Sequence, residues 1–305
     1  MSHQPGPDSL LGPDEDILEL ADSVLEKIAP DVVRLSSGRL PLEEVATACG
    51  YDTPSVVAIV GESGAGKTTF ISGLYERLVT GSCKDMQFAG SESFVSFEDL
   101  RHNALLASKN VDHQPLKTVG VELYHLQVLP RGGRLRHVIM ADVSGESLSR
   151  LRDSRTFAEN LALIKRADHL FFLVDGGAIV CEERRHLAYE NMNLAFVRLK
   201  DDELVNRFCK VSLVFNKADL LASSDNDDVQ KMIERMSRLS TEAWAPRSLD
   251  VFRADSRALF SRGSLCPDVD RLLQLSCERR FQGMLVLALP GEPPAIHALD
   301  RYGIG

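Results

Sequence analysis

The sequence predicts an α/β fold of three layers, a mostly parallel central sheet with helices on both faces, and three observations carry that prediction. Apolar runs with strand character alternate with helical stretches from about residue 54 to residue 280, the order that produces parallel strands joined by crossover helices. The run Ser55-Val56-Val57-Ala58-Ile59-Val60 passes through a glycine-rich turn, Gly61-Glu62-Ser63-Gly64-Ala65-Gly66-Lys67-Thr68, into the helical stretch Thr69-Phe70-Ile71-Ser72-Gly73-Leu74. Two strand-like runs flank the turn Pro130-Arg131-Gly132-Gly133-Arg134, which predicts one antiparallel hairpin at an edge of the sheet.

The elements follow in order. Residues 1–13 are rich in Pro, Gly and Ser and are expected to be disordered. Residues 14–53 read as a helical N-terminal extension. Ile17, Ala21, Val24, Leu25 and Ile28 recur at helical spacing up to Pro30, and a short second helix fits between Pro41 and Gly50. The main domain spans 54–280. Its first helix is expected over about 66–79, and a long insert over about 80–117 with a short helix near 97–108. The hairpin strands are expected from Thr118 to about 129 and from Leu135 to Ala141. Helices at 150–167, 182–200, 226–242 and 265–279 then alternate with strands at 169–175, 210–215 and 249–253. The tail, 281–305, contains the apolar segment Met284 to Leu289, which suits a strand or packed arm.

Composition excludes several classes. A net charge of −9 argues against general nucleic-acid binding. The six cysteines include no C-x-x-C and the eight histidines show no metal-ligand spacing, so neither a zinc site nor a disulfide framework is expected. A reducing cytoplasm is the natural compartment for such a chain. Neither a secretory leader nor a lipid-anchor motif is visible, and no apolar run approaches the ~18 residues of a membrane span. Any membrane attachment would come through a partner.

The glycine-rich turn is where chemistry enters. Its glycines let the chain curl so that successive N–H groups, from Gly61 through Thr69, converge on a phosphate chain at a helix N-terminus. Lys67 would reach the outer phosphates, and the Thr68 hydroxyl would join the shell of a Mg2+ ion. Asp142 follows the apolar strand His137 to Ala141 and is placed to hold the same ion, usually through water. Three residues on, the Gly145 N–H could sense a γ-phosphate. The fourth motif, Asn216-Lys217-Ala218-Asp219, follows the buried strand Val211 to Phe215. A carboxylate at Asp219 can accept from both N1–H and the 2-amino group of guanine. Adenine has neither donor, so the carboxylate would be desolvated without compensation. The Lys217 stem can lie over the purine, and Asn216 can tie this loop to the glycine-rich one.

In this order the motifs resemble those of the Ras-like, translation-factor-related P-loop GTPases, over about residues 54–280. Glu62 to Thr68 is similar to the P-loop of Rab-type members, and Thr118-Val119-Gly120-Val121-Glu122 resembles their first switch. The resemblance implies that Thr118 closes on Mg2+ and the γ-phosphate. It also implies that Asp255, Ser256 and Arg257 stand where the family's Ser-Ala-Lys guanine loop lies, with a Ser256 N–H facing the base. Two departures matter. The connection from P-loop to Thr118 is longer than in small signalling members. Glu146 stands where the family has a water-orienting glutamine, and a carboxylate there meets phosphate charge and lacks an amide's donor. Glu146 could act as a base or simply face solvent. Arg150, Arg152 and Arg155 could supply an internal arginine or form a solvated helix face.

The implied function is a switch that binds GTP or GDP with Mg2+ and hydrolyses GTP slowly unless a GAP-like activator assists. Protein partners are expected at the switch regions and the N-terminal helix. A nucleotide-loaded scaffold with little turnover is the alternative, and a P-loop ATPase a more remote one. The long insert, the helical extension and the lack of lipid anchors are also similar to prokaryotic GTPase modules of the double-GTPase type.

Overall fold

The structure is a computed structural model that describes residues 39–50, 52–83, 85–109, 120–153, 162–201, 203–260 and 266–280. The expected disordered N-terminus, the helix expected over 14–29, Thr118, Arg155 and the apolar tail segment lie outside these residues, as does any account of the Arg152 side chain. Seven strands form one sheet: β1 (Ser55–Gly61), β2 (Met86–Gly90), β3 (Val121–Pro130), β4 (Arg136–Val143), β5 (His169–Asp175), β6 (Lys210–Asn216) and β7 (Leu249–Arg253). Their order across the sheet is β2-β3-β4-β1-β5-β6-β7. All neighbours from β4 to β7 pair parallel, whereas β3 pairs antiparallel with both β2 and β4. The predicted hairpin is therefore β3–β4, and a further strand, β2, is added outside it.

Ten α-helices are described among these residues. They are α1 (Val45–Ala48), α2 (Lys67–Val79), α3 (Phe94–Lys109), α4 (Gly145–Asp153), α5 (Ala162–Arg166), α6 (Gly176–Val180), α7 (Glu182–Asp201), α8 (Ala218–Ala222), α9 (Asp227–Trp244) and α10 (Pro267–Ser276). Strand alternation divides the core in two. Val56, Ala58 and Val60 of β1, with Leu170, Phe172 and Val174 of β5, meet α7 and α9 through Phe196, Met236 and Trp244. Val57, Ile59, Phe171 and Leu173 point the other way, into α2, α3 and α10. Every residue of β1 is buried, because a parallel strand with helices on both faces has no solvent side. No helix among the described residues is long and apolar enough to cross a membrane.

Two expectations change. The insert was expected as a long connection with one short helix. Its described part holds β2 and the 16-residue α3. Met86 and Phe88 face the core in β2, and the Tyr75 ring of α2 stacks on Phe97 of α3 at 4.6 Å and meets Phe88 edge-on at 5.5 Å. Tyr75 also donates to Glu98 at 2.7 Å, and Arg101 pairs with both Glu76 and Glu98. The helix expected over 150–167 begins earlier, at Gly145. Ser144 caps it: its Oγ accepts from the Ser147 N–H at 3.1 Å, and its carbonyl from Leu148 at 3.2 Å. A separate helix, α5, precedes β5.

Helix α2 packs close against the 3-10 turn Ala258–Phe260. A Cβ on Gly73 would lie 2.5 Å from Leu259 Cδ1 and 2.8 Å from its Cβ. Replacing a mid-helix glycine by alanine gains up to about 1 kcal/mol in propensity, whereas overpacking a core costs about 1–3 kcal/mol. Crowding wins here, so Gly73→Ala should lower the urea midpoint. In a Leu259→Gly background, where every contacting side-chain carbon is gone, the same substitution should raise it. Equal effects in both backgrounds would show that the close approach is not what disfavours alanine.

Candidate functional site

The predicted site residues among those described collect at the carboxyl ends of β1, β4, β6 and β7. β1 is the strand from which the connections run to either side, the position where open α/β sheets bind ligands. The Gly61–Gly66 turn leaves β1 and enters α2 with Gly66 as its N-cap. Gly64 and Gly66 both have φ 82°, a left-handed conformation that a side chain would strain. Space is also lacking: a Cβ on Gly61 would lie 2.5 Å from the Leu173 carbonyl oxygen, and one on Gly66 2.6 Å from Asn216 Nδ2.

Lys67 is buried, and its Nζ donates to the Gly61 carbonyl at 2.9 Å and the Glu62 carbonyl at 3.1 Å. Burial pushes the pKa of this ammonium down, and the carboxylates of Asp142 and Glu62 oppose that shift. The lysine is thus held by its own loop as a desolvated positive charge. Beside it, Thr68 donates its hydroxyl to Asp142 Oδ2 at 2.7 Å. Asp142 is fully buried at the end of β4, whose residue Asp142 pairs with Ile59 of β1. A hydroxyl and a carboxylate are hard oxygen donors, so this pair suits Mg2+.

Gly145 is packed onto the P-loop. A Cβ there would lie 2.4 Å from the Ser63 nitrogen and 2.8 Å from Ser63 Cα, so any side chain would force the two loops apart. Glu146, the next residue, is exposed in the first turn of α4. Arg150 is exposed on the same helix.

The second half of the site is tied to the first by one side chain. Asn216, fully buried at the end of β6, donates through Nδ2 to the Ala65 carbonyl at 2.8 Å. Its Oδ1 accepts from Ser256 Oγ at 2.6 Å and from the Ser256 N–H at 3.3 Å. The Ser256 N–H expected to face the base is therefore engaged by Asn216. The same loop is shaped by Asp255, whose Oδ1 accepts from the N–H groups of Arg257 and Ala258 at 3.0 and 3.2 Å. Asp219 stands exposed in the first turn of α8.

Lys217 adopts φ 56°, rare for a residue with a side chain. Its ammonium pairs with Asp175 Oδ1 at 2.8 Å, and the Ala218 N–H bonds the Ala254 carbonyl at 3.0 Å, which hold this conformation. Asp175 also caps α6 through the Gly177 N–H at 2.8 Å. Sequence reasoning missed Asp175. The signal was an aspartate closing a strand before Gly176-Gly177, a helix-start pattern without any hint of its lysine partner. Gly176 lies under this loop, where a Cβ would meet the Asn216 carbonyl oxygen at 2.4 Å.

No curated protein matches this chain. Among solved structures, the crystal structure of an SsGBP mutation variant is similar at 16% identity, with a TM-score of 0.39, over 87% of this chain and 65% of that one. The chain thus spans less than two thirds of that structure's length, and so distant a likeness carries no argument. The profile of the family Double-GTPase 2 matches residues 55–269. That span opens on the first residue of β1 and closes inside α10, taking in the P-loop, Asp142, Asn216 to Asp219 and the 255–257 loop. The chain belongs to the Double-GTPase 2 family.

Proposed function

We propose that this chain is a guanine-nucleotide switch that hydrolyses GTP to GDP and phosphate, slowly by itself, and alters its protein contacts with the bound nucleotide. The observation that carries this reading is the Asn216 bridge. It joins the P-loop carbonyl of Ala65 to the Ser256 loop while placing Asp219 three residues further on. A phosphate cradle and a guanine-selective carboxylate are then parts of one rigid unit.

In this reading the turning N–H groups of residues 61–69 and the Lys67 ammonium bind the phosphates. Release of Lys67 from two backbone carbonyls is the exchange that phosphate oxygens must outcompete. Thr68 and Asp142 would hold Mg2+, which supplies charge neutralisation at the phosphates. Thr118 is proposed to close on the same region, and the Gly145 N–H to report the γ-phosphate. Lys217, steadied by Asp175, presents its stem to the purine while Asp219 accepts from the guanine edge, with Asp255, Ser256 and Arg257 walling the base pocket. Glu146 leaves the water-orienting role without an amide, so turnover by the free protein should be slow. The exposed position of Glu146 favours a second reading, a loaded scaffold with almost no hydrolysis. We place the protein in the cytoplasm, with partners at the switch segments and the N-terminal extension, and one partner acting as a GAP-like activator.

Lys67→Ala should lower GDP and GTP affinity by roughly 10²-fold or more, since a buried phosphate contact is lost. Asp219→Asn should shift preference from guanine to xanthine nucleotides; unchanged GTP preference in a competition assay would remove Asp219 from the base site. Asp175→Asn leaves Lys217 without its ion pair, and a loss of roughly tenfold in guanine-nucleotide affinity is expected, measured by displacement of a fluorescent GDP. Single-turnover phosphate release should fall near the ~10⁻⁴ s⁻¹ of unassisted Ras-like members. Rates indistinguishable from buffer would favour the scaffold.

A further inference from the structure

Outside the nucleotide site, one cluster of side chains brings together soft and borderline metal donors. His125 of β3 and His137 of β4 are diagonal neighbours across the hairpin, where His125 pairs with Ile139 and Gln127 with His137. Their rings stack at 5.2 Å, with His125 Nε2 3.0 Å from His137 Nδ1. Cys49, just past α1, packs on the same sheet face among Leu123 and Ile139. The thiol sulfur and the two ring nitrogens all lie within 4.8 Å of one another. Tetrahedral zinc with Zn–N near 2.0–2.1 Å and Zn–S near 2.3 Å needs its ligand atoms about 3.3–3.6 Å apart. The nitrogens, 3.0 Å apart, would part slightly, and a sulfur within 4.8 Å needs to move by about 1 Å at most. Cys49 and His125 are buried and His137 is half-buried, which leaves one side through which an ion and a water could enter.

We propose that Cys49, His125 and His137 bind a zinc-class divalent cation, with water as fourth ligand, and that the bound ion loosens the start of the insert helix α3. The second part follows from the tautomer. His125 Nδ1 accepts from the Glu92 N–H at 3.1 Å, so the metal-free ring carries its proton on Nε2 and offers it to His137. A cation on Nε2 moves that proton to Nδ1, and the Cys49 thiol releases its own proton to solvent. The ring nitrogen facing Glu92 is then a donor, and the Glu92 bond is lost. Two other bonds still fasten this turn to β3: Ser91 Oγ to the His125 carbonyl at 2.6 Å, and the His125 N–H to Ser93 Oγ at 3.1 Å. Histidine ligands usually use their second nitrogen to donate to a carbonyl or carboxylate; here it faces an amide, which makes the exchange a switch.

The test uses the full chain loaded with GDP and excess Mg2+, stripped of transition metals and titrated with Co2+ as a spectroscopic probe. One equivalent should produce the visible bands of tetrahedral cobalt with a thiolate-to-cobalt charge-transfer band. Cys49→Ser should abolish the charge-transfer band, and His137→Gln should weaken cobalt binding at least tenfold, both with GDP affinity unchanged. No tetrahedral spectrum in the wild type, or a charge-transfer band undiminished in Cys49→Ser, would overturn the site. With Zn2+ bound, hydrogen exchange at the Glu92 amide should accelerate tenfold or more; unchanged protection in the zinc-loaded protein would overturn the link to α3.

Discussion

The Asn216 carboxamide is the interaction on which the site depends. One buried side chain uses a donor for the P-loop and its acceptor for the 254–257 loop, so loops that follow β1, β6 and β7 share one frame. Both of its partners are buried, and loss of either end would leave an unsatisfied polar group at a cost of about 1–3 kcal/mol. The close approaches around it, at Gly66 and Gly176, show how little slack the frame has. The nucleotide, in the switch reading, is a further tie laid across loops already bound to one another.

What could be read from the sequence was what is written in consecutive residues. The P-loop, Asp142 and the Asn216–Asp219 loop each follow a buried strand, and local pattern suffices to place them at strand ends. The boundaries of β5 and β7 are those expected. β2 escaped because Met86-Gln87-Phe88-Ala89-Gly90 has only two inward apolar residues and ends in glycine, too short a run to show a period. Asp175, and the tie from Ser256 to Asn216, escaped because they depend on partners across the sheet. Cys49, His125 and His137 illustrate the same limit more sharply. Spacing rules describe ligands close in the chain, whereas strand register brings these two histidines together and core packing adds the cysteine.

The insert shows how added sequence can be absorbed without disturbing a site. Instead of a loose excursion, the segment after α2 extends the sheet by one strand and then lays α3 on α2 through Tyr75, Phe97 and the Arg101 carboxylate pairs. The aromatic stack and buried Met86 repay the ordering of this stretch with apolar area. Its end leads toward the proposed switch threonine, so α3 and the nucleotide site are joined along the chain as well as through α2.

Helix α2 is enclosed on every side that matters. Tyr75 holds it to the insert, Gly73 is pressed against Leu259 just after the 254–257 loop, and the buried Arg77 guanidinium grips Asp270 of α10 at 2.6 Å. A helix with three such anchors cannot swing when a phosphate arrives or leaves. In the proposed switch reading the P-loop is consequently the stator, and the moving parts are the segments proposed to sense the γ-phosphate.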